Sequence, residues 1–307
     1  MTSVVHNDSY PAIDPSKSDF SGKAVFISGA TRGLGRAMSI SFAKAGASML
    51  ALAARSDVSE TVQAVQEAAA QCGRPAPKVL PIQLDVTDRA GVDAALQAVR
   101  EQFGRLDILI NNAGLLLGDK ITESDPDVWM RIWNVNLMGP YLLMRAFIPL
   151  MLECDGDKTI VAVSTVGALK TTPGLSAYQM SKLAVLRLTE FVGSEYGDQG
   201  MLSYAIHPGN IVTDMTAGLM TPELRPGTSP VLNSFLWRSK PFANIYWLRI
   251  VFVETPELSA DSLVYLTSKK REWLAGRYVN VTWDLPELMA KEEEIVSRDM
   301  LKVKLVV

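Results

Sequence analysis

The chain reads as an α/β protein, a Rossmann-like single domain built on a doubly wound parallel sheet of about seven strands. Three observations predict this. Short β-type runs alternate with longer runs of helical spacing. The strand runs are apolar on both faces, as strands buried in a parallel sheet must be. A glycine-rich turn joins the first strand run to the first helical run.

In chain order, Lys23–Gly29 (KAVFISG) is a strand run ending in glycine, and residues 34–45 follow with helical spacing up to Gly46. Ser48–Ala54 is a second strand, and Val58–Gln71 a helix that ends near Gly73. Val79–Asp85 is a third strand, and Arg89–Phe103 a helix stopped by Gly104. Leu106–Asn111 is a fourth strand, and one long helix is expected over Asp127–Glu153. Thr159–Ser164, a helix over Ala177–Tyr196, and Leu202–His207 come next, closed by Pro208-Gly209. A last strand is read in Gly276–Asp284, and the alternation at Leu301, Val303, Leu305 and Val307 suggests a strand-like tail docked on its own subunit or a neighbour. Strands alternating with helices of this length imply right-handed βαβ units. Residues 1–20 form an N-terminal arm, 21–284 the domain and 285–307 a C-terminal extension. Residues 214–255, rich in aromatics and broken by prolines, overhang the carboxyl end of the sheet.

Composition narrows the function. Of 307 residues, 48% are hydrophobic and 21% charged, which excludes a largely disordered chain. Lys and Arg total 30 against 33 Asp and Glu, with no basic run, so nucleic acid is not an expected partner. Two histidines (His6, His207) and two cysteines (Cys72, Cys154) have neither zinc nor disulfide spacing, so no metal is expected. The first twenty residues lack a signal-type apolar core, and no run reaches the ~18 apolar residues of a membrane span. A reducing, cytoplasmic setting is the expectation.

The glycine turn is Ser28-Gly29-Ala30-Thr31-Arg32-Gly33-Leu34-Gly35. Gly29 permits a tight turn, Gly33 lets the backbone approach a phosphate, and Gly35 lets the helix pack against the strand. The helix N-terminus then offers free N–H groups and a partial positive charge to a pyrophosphate. The spacing is Gly-x₃-Gly-x-Gly rather than Gly-x-Gly-x₂-Gly.

Further motifs follow in order: Asp85-Val86, Asn111-Asn112-Ala113-Gly114, Asn136, Ser164, Tyr178-x₃-Lys182, Pro208-Gly209 and Ile211-Val212-Thr213. With the glycine turn, this set resembles the short-chain dehydrogenase/reductase family over residues 20–215, and the Trp283-Asp284 ending resembles its fungal branch. The resemblance implies an oxidoreductase transferring hydride between a nicotinamide cofactor and a small-molecule ketone, aldehyde or alcohol. Tyr178 is then the general acid in reduction, and Lys182 also binds the nicotinamide ribose. Ser164 binds the substrate oxygen, and Asn136 holds a water in the proton relay. Cofactor contacts fall to Gly29, Thr31, Arg32, Gly33, Leu34, Gly35, Arg55, Ser56, Asp85, Val86, Asn112, Ala113, Gly114, Tyr178, Lys182, Pro208, Gly209, Ile211, Val212 and Thr213.

Physical chemistry bears on several of these. A phenol titrates near ~10, and an ammonium one helical turn away is expected to lower that value. The second strand ends Ala53-Ala54-Arg55-Ser56, with no carboxylate to accept a ribose 2′-hydroxyl and a cation suited to a 2′-phosphate, so NADP is the expected cofactor. Arg32 can bracket the same phosphate. A second Tyr-x₃-Lys, Tyr265 to Lys269, lacks an upstream strand-end serine and is read as structural. Residues 214–255 carry Phe235, Trp237, Phe242, Tyr246, Trp247 and Phe252, the make-up of a hinged lid over a lipophilic substrate. A reductase-derived cyclase or isomerase at the same site, and a non-catalytic NADP sensor, are the alternatives. Family resemblance also implies a homodimer or homotetramer through helices 127–153 and 177–196.

Overall fold

Seven parallel strands form one sheet in the order β3-β2-β1-β4-β5-β6-β7. They are β1 (Ala24–Ser28), β2 (Met49–Ala54), β3 (Lys78–Gln83), β4 (Ile108–Asn111), β5 (Thr159–Val163), β6 (Leu202–His207) and β7 (Tyr278–Asn280). The connecting helices are α1 (Gly33–Lys44), α2 (Ser59–Gln71), α3 (Arg89–Phe103), α4 (Pro126–Trp133), α5 (Gly139–Leu152), α6 (Ser176–Tyr196), α7 (Asp214–Ala217) and α8 (Pro256–Thr267), with α9 (Leu285–Met289) and α10 (Glu292–Ser297) after β7. The computed structural model describes residues 1–217 and 253–305. Most of segment 214–255, with all six of its aromatics, and Val306–Val307 lie outside the described residues.

Strand order turns back between β1 and β4, and such a switch opens a crevice beyond the strand carboxyl ends. Side chains of β1 alternate between two cores. Val25 and Ile27 join Met38 and Phe42 of α1 and Leu263 of α8. Phe26 meets Val92 of α3 and Phe147 of α5 on the other face. β3 is an edge strand, half exposed, and tolerates Pro81 because one side needs no ladder donor.

Four expectations are corrected. β3 stops at Gln83, because the Asp85 carboxylate accepts the N–H and hydroxyl of Thr87 and turns the chain. The helix expected over 127–153 is interrupted by a π-helical turn, Asn134–Met138, between α4 and α5. The Gly139 N–H there donates to the Asn134 carbonyl, and Pro140 has no N–H to offer Asn136 four residues back. The last strand is only Tyr278–Asn280, because Asn280 Oδ1 accepts the Thr282 N–H and hydroxyl, both at 3.0 Å, and bends the chain away. Residues 301–305 form no strand. Asp299 and Leu301 are left-handed, and Asp299 bonds Arg277, Lys302 and Lys304, which curls the tail against its own subunit.

The span Pro126–Leu152 is long and apolar enough to cross a membrane, but 61% of its most apolar window is buried in the core. Leu143, Phe147, Leu150 and Met151 pack there under the sheet. The greater part of its apolar surface is thus covered by the fold.

The N-terminal arm is pinned along its length. Val5 bridges Trp283 in antiparallel fashion, His6 Nε2 lies 2.9 Å from Asp284 Oδ2, and the His6 ring stacks on Tyr10. Ser9 donates to the buried Asp261 of α8, which also holds Ser41 of α1.

Candidate active site

The glycine turn runs between β1 and α1 as its residues require. Gly29 and Gly33 have φ of 72° and 56°, a left-handed conformation that glycine adopts without strain. The Gly29 N–H donates to the Ala53 carbonyl at 2.7 Å, and Thr61 of α2 donates its hydroxyl to the carbonyls of Ala30 and Thr31. A methyl group at Gly35 would stand 2.1 Å from the Gly29 oxygen, so only hydrogen fits. Arg32, at the N-cap of α1, makes no side-chain cap, and the first N–H groups of this 12-residue helix face the crevice without a capping acceptor. Turn and helix end together fit a pyrophosphate.

β4 delivers Asn111-Asn112-Ala113-Gly114 to the same crevice. The Asn112 side chain donates to the Ser28 carbonyl at 2.9 Å, and the Ser28 hydroxyl accepts the N–H groups of Asn112 and Ala113. These bonds lock the ends of β1 and β4 together beneath the cofactor position. Ser28 and Thr61 escaped the sequence reading. Ser28 stands next to Gly29 and could have been found there, whereas Thr61 carries no local signal.

Asn136 lies in the π turn, fully buried. Its Oδ1 accepts the Leu115 N–H at 2.7 Å, and its Nδ2 donates to the Leu115 carbonyl and to Ser181 Oγ. The Ser181 hydroxyl donates in turn to the Tyr178 carbonyl at 2.7 Å. A methyl at Gly114 would stand 3.4 Å from Asn136 Oδ1 and 3.6 Å from Lys182 Nζ, so these two groups flank one point of the β4 loop.

Ser164, just past β5, and Lys182, on α6, are cross-bonded. The Ser164 hydroxyl donates to the Lys182 carbonyl at 3.0 Å, and Lys182 Nζ donates to the Val163 carbonyl at 2.7 Å. Tyr178 stands one turn before Lys182 on α6, with Thr165 beside its phenol. The structure therefore gathers Asn136, Ser164, Tyr178 and Lys182 at the carboxyl ends of β4 and β5.

The titration of this pair departs from expectation. Burial raises the Tyr178 phenol to about 12, against a smaller lowering by the Thr165 hydrogen bond. Burial also lowers Lys182 from 10.5 to about 8. Desolvation dominates both groups, and the Lys182 ammonium donates to the Val163 carbonyl rather than to the phenol.

This depression sets a pH dependence of stability. Below pH 8 the lysine is protonated in both states, and the folded chain bears the full cost of a buried charge. Between about 8 and 10.5 the folded lysine is neutral while the unfolded one still binds a proton, so stability rises with pH. The expected gain from Lys182 is about 2 kcal/mol between pH 8 and 10. Urea unfolding across that range should show it in the parent chain and lose it in Lys182→Met.

At the end of β2, Ala54 is buried while Arg55 and Ser56 are exposed. Arg55 faces the Asp85 carboxylate. Burial pushes that carboxyl upward, but the Thr87 hydrogen bonds and the positive charges of Arg55 and Arg131 hold it below its usual value. Arg32 pairs with Asp214, the first residue of α7, and Thr213 Cγ2 lies 3.7 Å from where a Gly33 methyl would stand. Pro208 and Gly209 are buried at the end of β6, with Ile211 buried and Val212 exposed just beyond. Val86 packs against Gly139, at whose α-carbon a methyl would come within 2.7 Å of it.

Other residues take structural places. His207 ends β6, and burial lowers its pKa to about 4. Tyr265 packs on the core with Arg271 over its ring. Both cysteines are free, and no cluster suited to a metal occurs among the described residues.

A parallel sheet opening at its switch point onto an uncapped helix N-terminus is the architecture of a dinucleotide-binding domain. The short chain dehydrogenase family model matches residues 23–223, and the chain belongs to that family. It is 50% identical over 308 residues to the short chain dehydrogenase pigC of Monascus ruber, covering 100% of this chain and 94% of that protein. It is 46% identical over 307 residues to the short chain dehydrogenase mpl6 of Monascus purpureus, covering 99% and 96%. Among solved structures, carveol dehydrogenase from Mycobacterium avium in complex with NAD superposes with a TM-score of 0.71 at 24% identity, covering 88% of this chain and all of that one. Members of the family bind a nicotinamide cofactor and act on small molecules.

Proposed function

We propose that the protein is an NADP(H)-dependent reductase that converts a ketone or aldehyde of a lipophilic small molecule to the alcohol, with Tyr178 as proton donor. The observation that carries it is the convergence of Ser164, Tyr178 and Lys182 at the end of β5, beside the glycine turn. The uncapped end of α1 and the turn Gly29–Gly35 hold the pyrophosphate. Asp85, Val86, Asn112, Ala113 and Gly114 line the crevice, and Pro208-Gly209 with Ile211-Val212-Thr213 close its nicotinamide end. Arg55, Ser56 and Arg32 take the 2′-phosphate.

Bound reduced nicotinamide supplies the hydride that adds to the carbonyl carbon. The Ser164 hydroxyl turns from the Lys182 carbonyl to donate to the substrate oxygen, which polarises the carbonyl. The Tyr178 O–H transfers its proton to that oxygen, leaving a phenolate. Lys182 stabilises the phenolate electrostatically, and Asn136 orders the path by which solvent returns the proton. Depletion of NADPH and of NADH, measured with a panel of bulky and small carbonyl compounds, tests this reading. No turnover with any member, despite NADPH binding, would overturn it. Product analysis distinguishes simple reduction from a subsequent cyclisation or isomerisation.

Arg55→Ala should weaken NADPH binding roughly 10- to 100-fold and leave NADH nearly untouched, because only NADPH carries the group the guanidinium would bond. Equal losses for both cofactors in a binding titration would refute the assignment.

We also propose self-association through α5 and α6, as a homodimer or homotetramer. Met138 of the π turn, Tyr141 of α5, and Leu183 and Phe191 of α6 expose apolar side chains between 37% and 53% accessible. Sedimentation should show a mass above one subunit that Phe191→Asp and Tyr141→Asp together reduce.

A further inference from the structure

Glu254 was not singled out by the sequence, yet it touches the loop that closes the crevice. Its half-buried carboxylate accepts the Asn210 N–H at 2.9 Å, so a side chain from just before α8 holds a main-chain donor of the loop after β6. Contact continues at the neighbouring residue. Gly209 has φ of 91°, and a methyl there would stand 3.0 Å from Glu254 Cβ. The Glu254 stem therefore lies against the backbone of Pro208-Gly209-Asn210, immediately after the end of β6.

Glu254 is itself held from behind. The N–H of Thr255 donates to the Asn7 carbonyl at 2.9 Å, and its hydroxyl donates to Asp8 Oδ1 at 2.6 Å. Thr255 Oγ1 also caps α8 by accepting the Leu258 N–H. Helix α8 is packed along α1, whose first turn faces the crevice. A continuous set of bonds thus leads from the N-terminal arm through Thr255 and Glu254 to the loop after β6.

We propose that Glu254 is a positioning residue for cofactor binding: it sets the backbone of Pro208-Gly209-Asn210, and the N-terminal arm holds it in place. The proposal rests on the reading of that loop as the nicotinamide end of the cofactor site. Removing the carboxylate frees the Asn210 N–H and lets the loop drift. The loop must then be ordered at the moment of binding, so the loss falls on cofactor affinity more than on the chemical step.

Glu254→Ala and Glu254→Gln, made in the full-length chain, test this. The readouts are the Kd for NADPH by fluorescence titration, the KM for NADPH, kcat and the melting temperature. Glu254→Ala is expected to raise Kd and KM together by roughly ten-fold while kcat falls less than about three-fold. Glu254→Gln keeps an oxygen for the Asn210 N–H and should recover most of the affinity. An unchanged Kd in Glu254→Ala, with or without a lowered melting temperature, would overturn the proposal. If Glu254→Ala fails to fold, Glu254→Met, which keeps the stem without an acceptor for the Asn210 N–H, takes its place: a ten-fold loss of NADPH affinity there supports the role, and an unchanged Kd overturns it. Failure of the parent chain to bind either NADPH or NADH would instead defeat the reading of the loop, and would show before any variant is measured.

Discussion

Tyr178→Phe is expected to abolish measurable turnover while leaving NADPH affinity within about two-fold of the parent. The change removes one oxygen and keeps the ring, so the packing of α6 is retained. What is lost is the proton that must reach the substrate oxygen as hydride adds to carbon. General acid catalysis of this kind contributes on the order of 10²–10⁴ in rate, and here no neighbouring group replaces it. Lys182 Nζ donates to the Val163 carbonyl, and the Ser164 hydroxyl is far too weak an acid. Single-turnover measurement under saturating NADPH isolates the chemical step. A rate within ten-fold of the parent would remove Tyr178 from the role of acid.

The second large effect is expected at Gly35. Alanine is the better helix former by about 1 kcal/mol, so local propensity alone favours Gly35→Ala. Packing reverses the sign. The added methyl would meet the Gly29 oxygen at 2.1 Å and Asn112 Nδ2 at 2.8 Å. Neither partner can yield cheaply, because the Gly29 N–H is bonded to Ala53 and the Asn112 side chain to Ser28. Overpacking against such a fixed backbone costs about 1–3 kcal/mol or more, and relief requires α1 to lift off β1. That movement displaces the helix end from the pyrophosphate position. Gly35→Ala should therefore melt several degrees lower and lose NADPH binding by more than ten-fold. Gly197→Ala, where no atom lies within 4 Å of an added methyl, serves as the control and should leave both readouts unchanged.

The sheet was legible because the inner strand runs β1, β4, β5 and β6 are buried throughout and end at or beside a motif residue. The site residues were legible for a related reason. Tyr178 and Lys182 are four apart on one helix, and Ser164 stands where β5 runs out of apolar residues. What local pattern could not show is longer in range. The π turn at Asn134–Met138 has apolar spacing compatible with an unbroken helix, and only Gly139-Pro140 hints at it. The upward shift of Tyr178 depends on how completely the fold strips water from the phenol, which spacing does not encode. Glu254 looked like one more charge before a proline, because its partners are 44 residues earlier in the chain. Nothing local in the N-terminal arm specifies partners at Asp261 or Asp284.

That last feature bears on how the molecule is made. Residues 3–9 bond to partners between Thr255 and Glu287, so the arm waits for segments made more than two hundred residues after it. A domain wired in this order cannot close while residues 255–287 are still in the exit tunnel. Contacts between such distant positions also raise the entropic barrier to folding. The βαβ units from β1 to β6 can assemble as they emerge. The strap over α8 is added once residues 255–287 have emerged, and it ties the earliest segment of the fold to its latest.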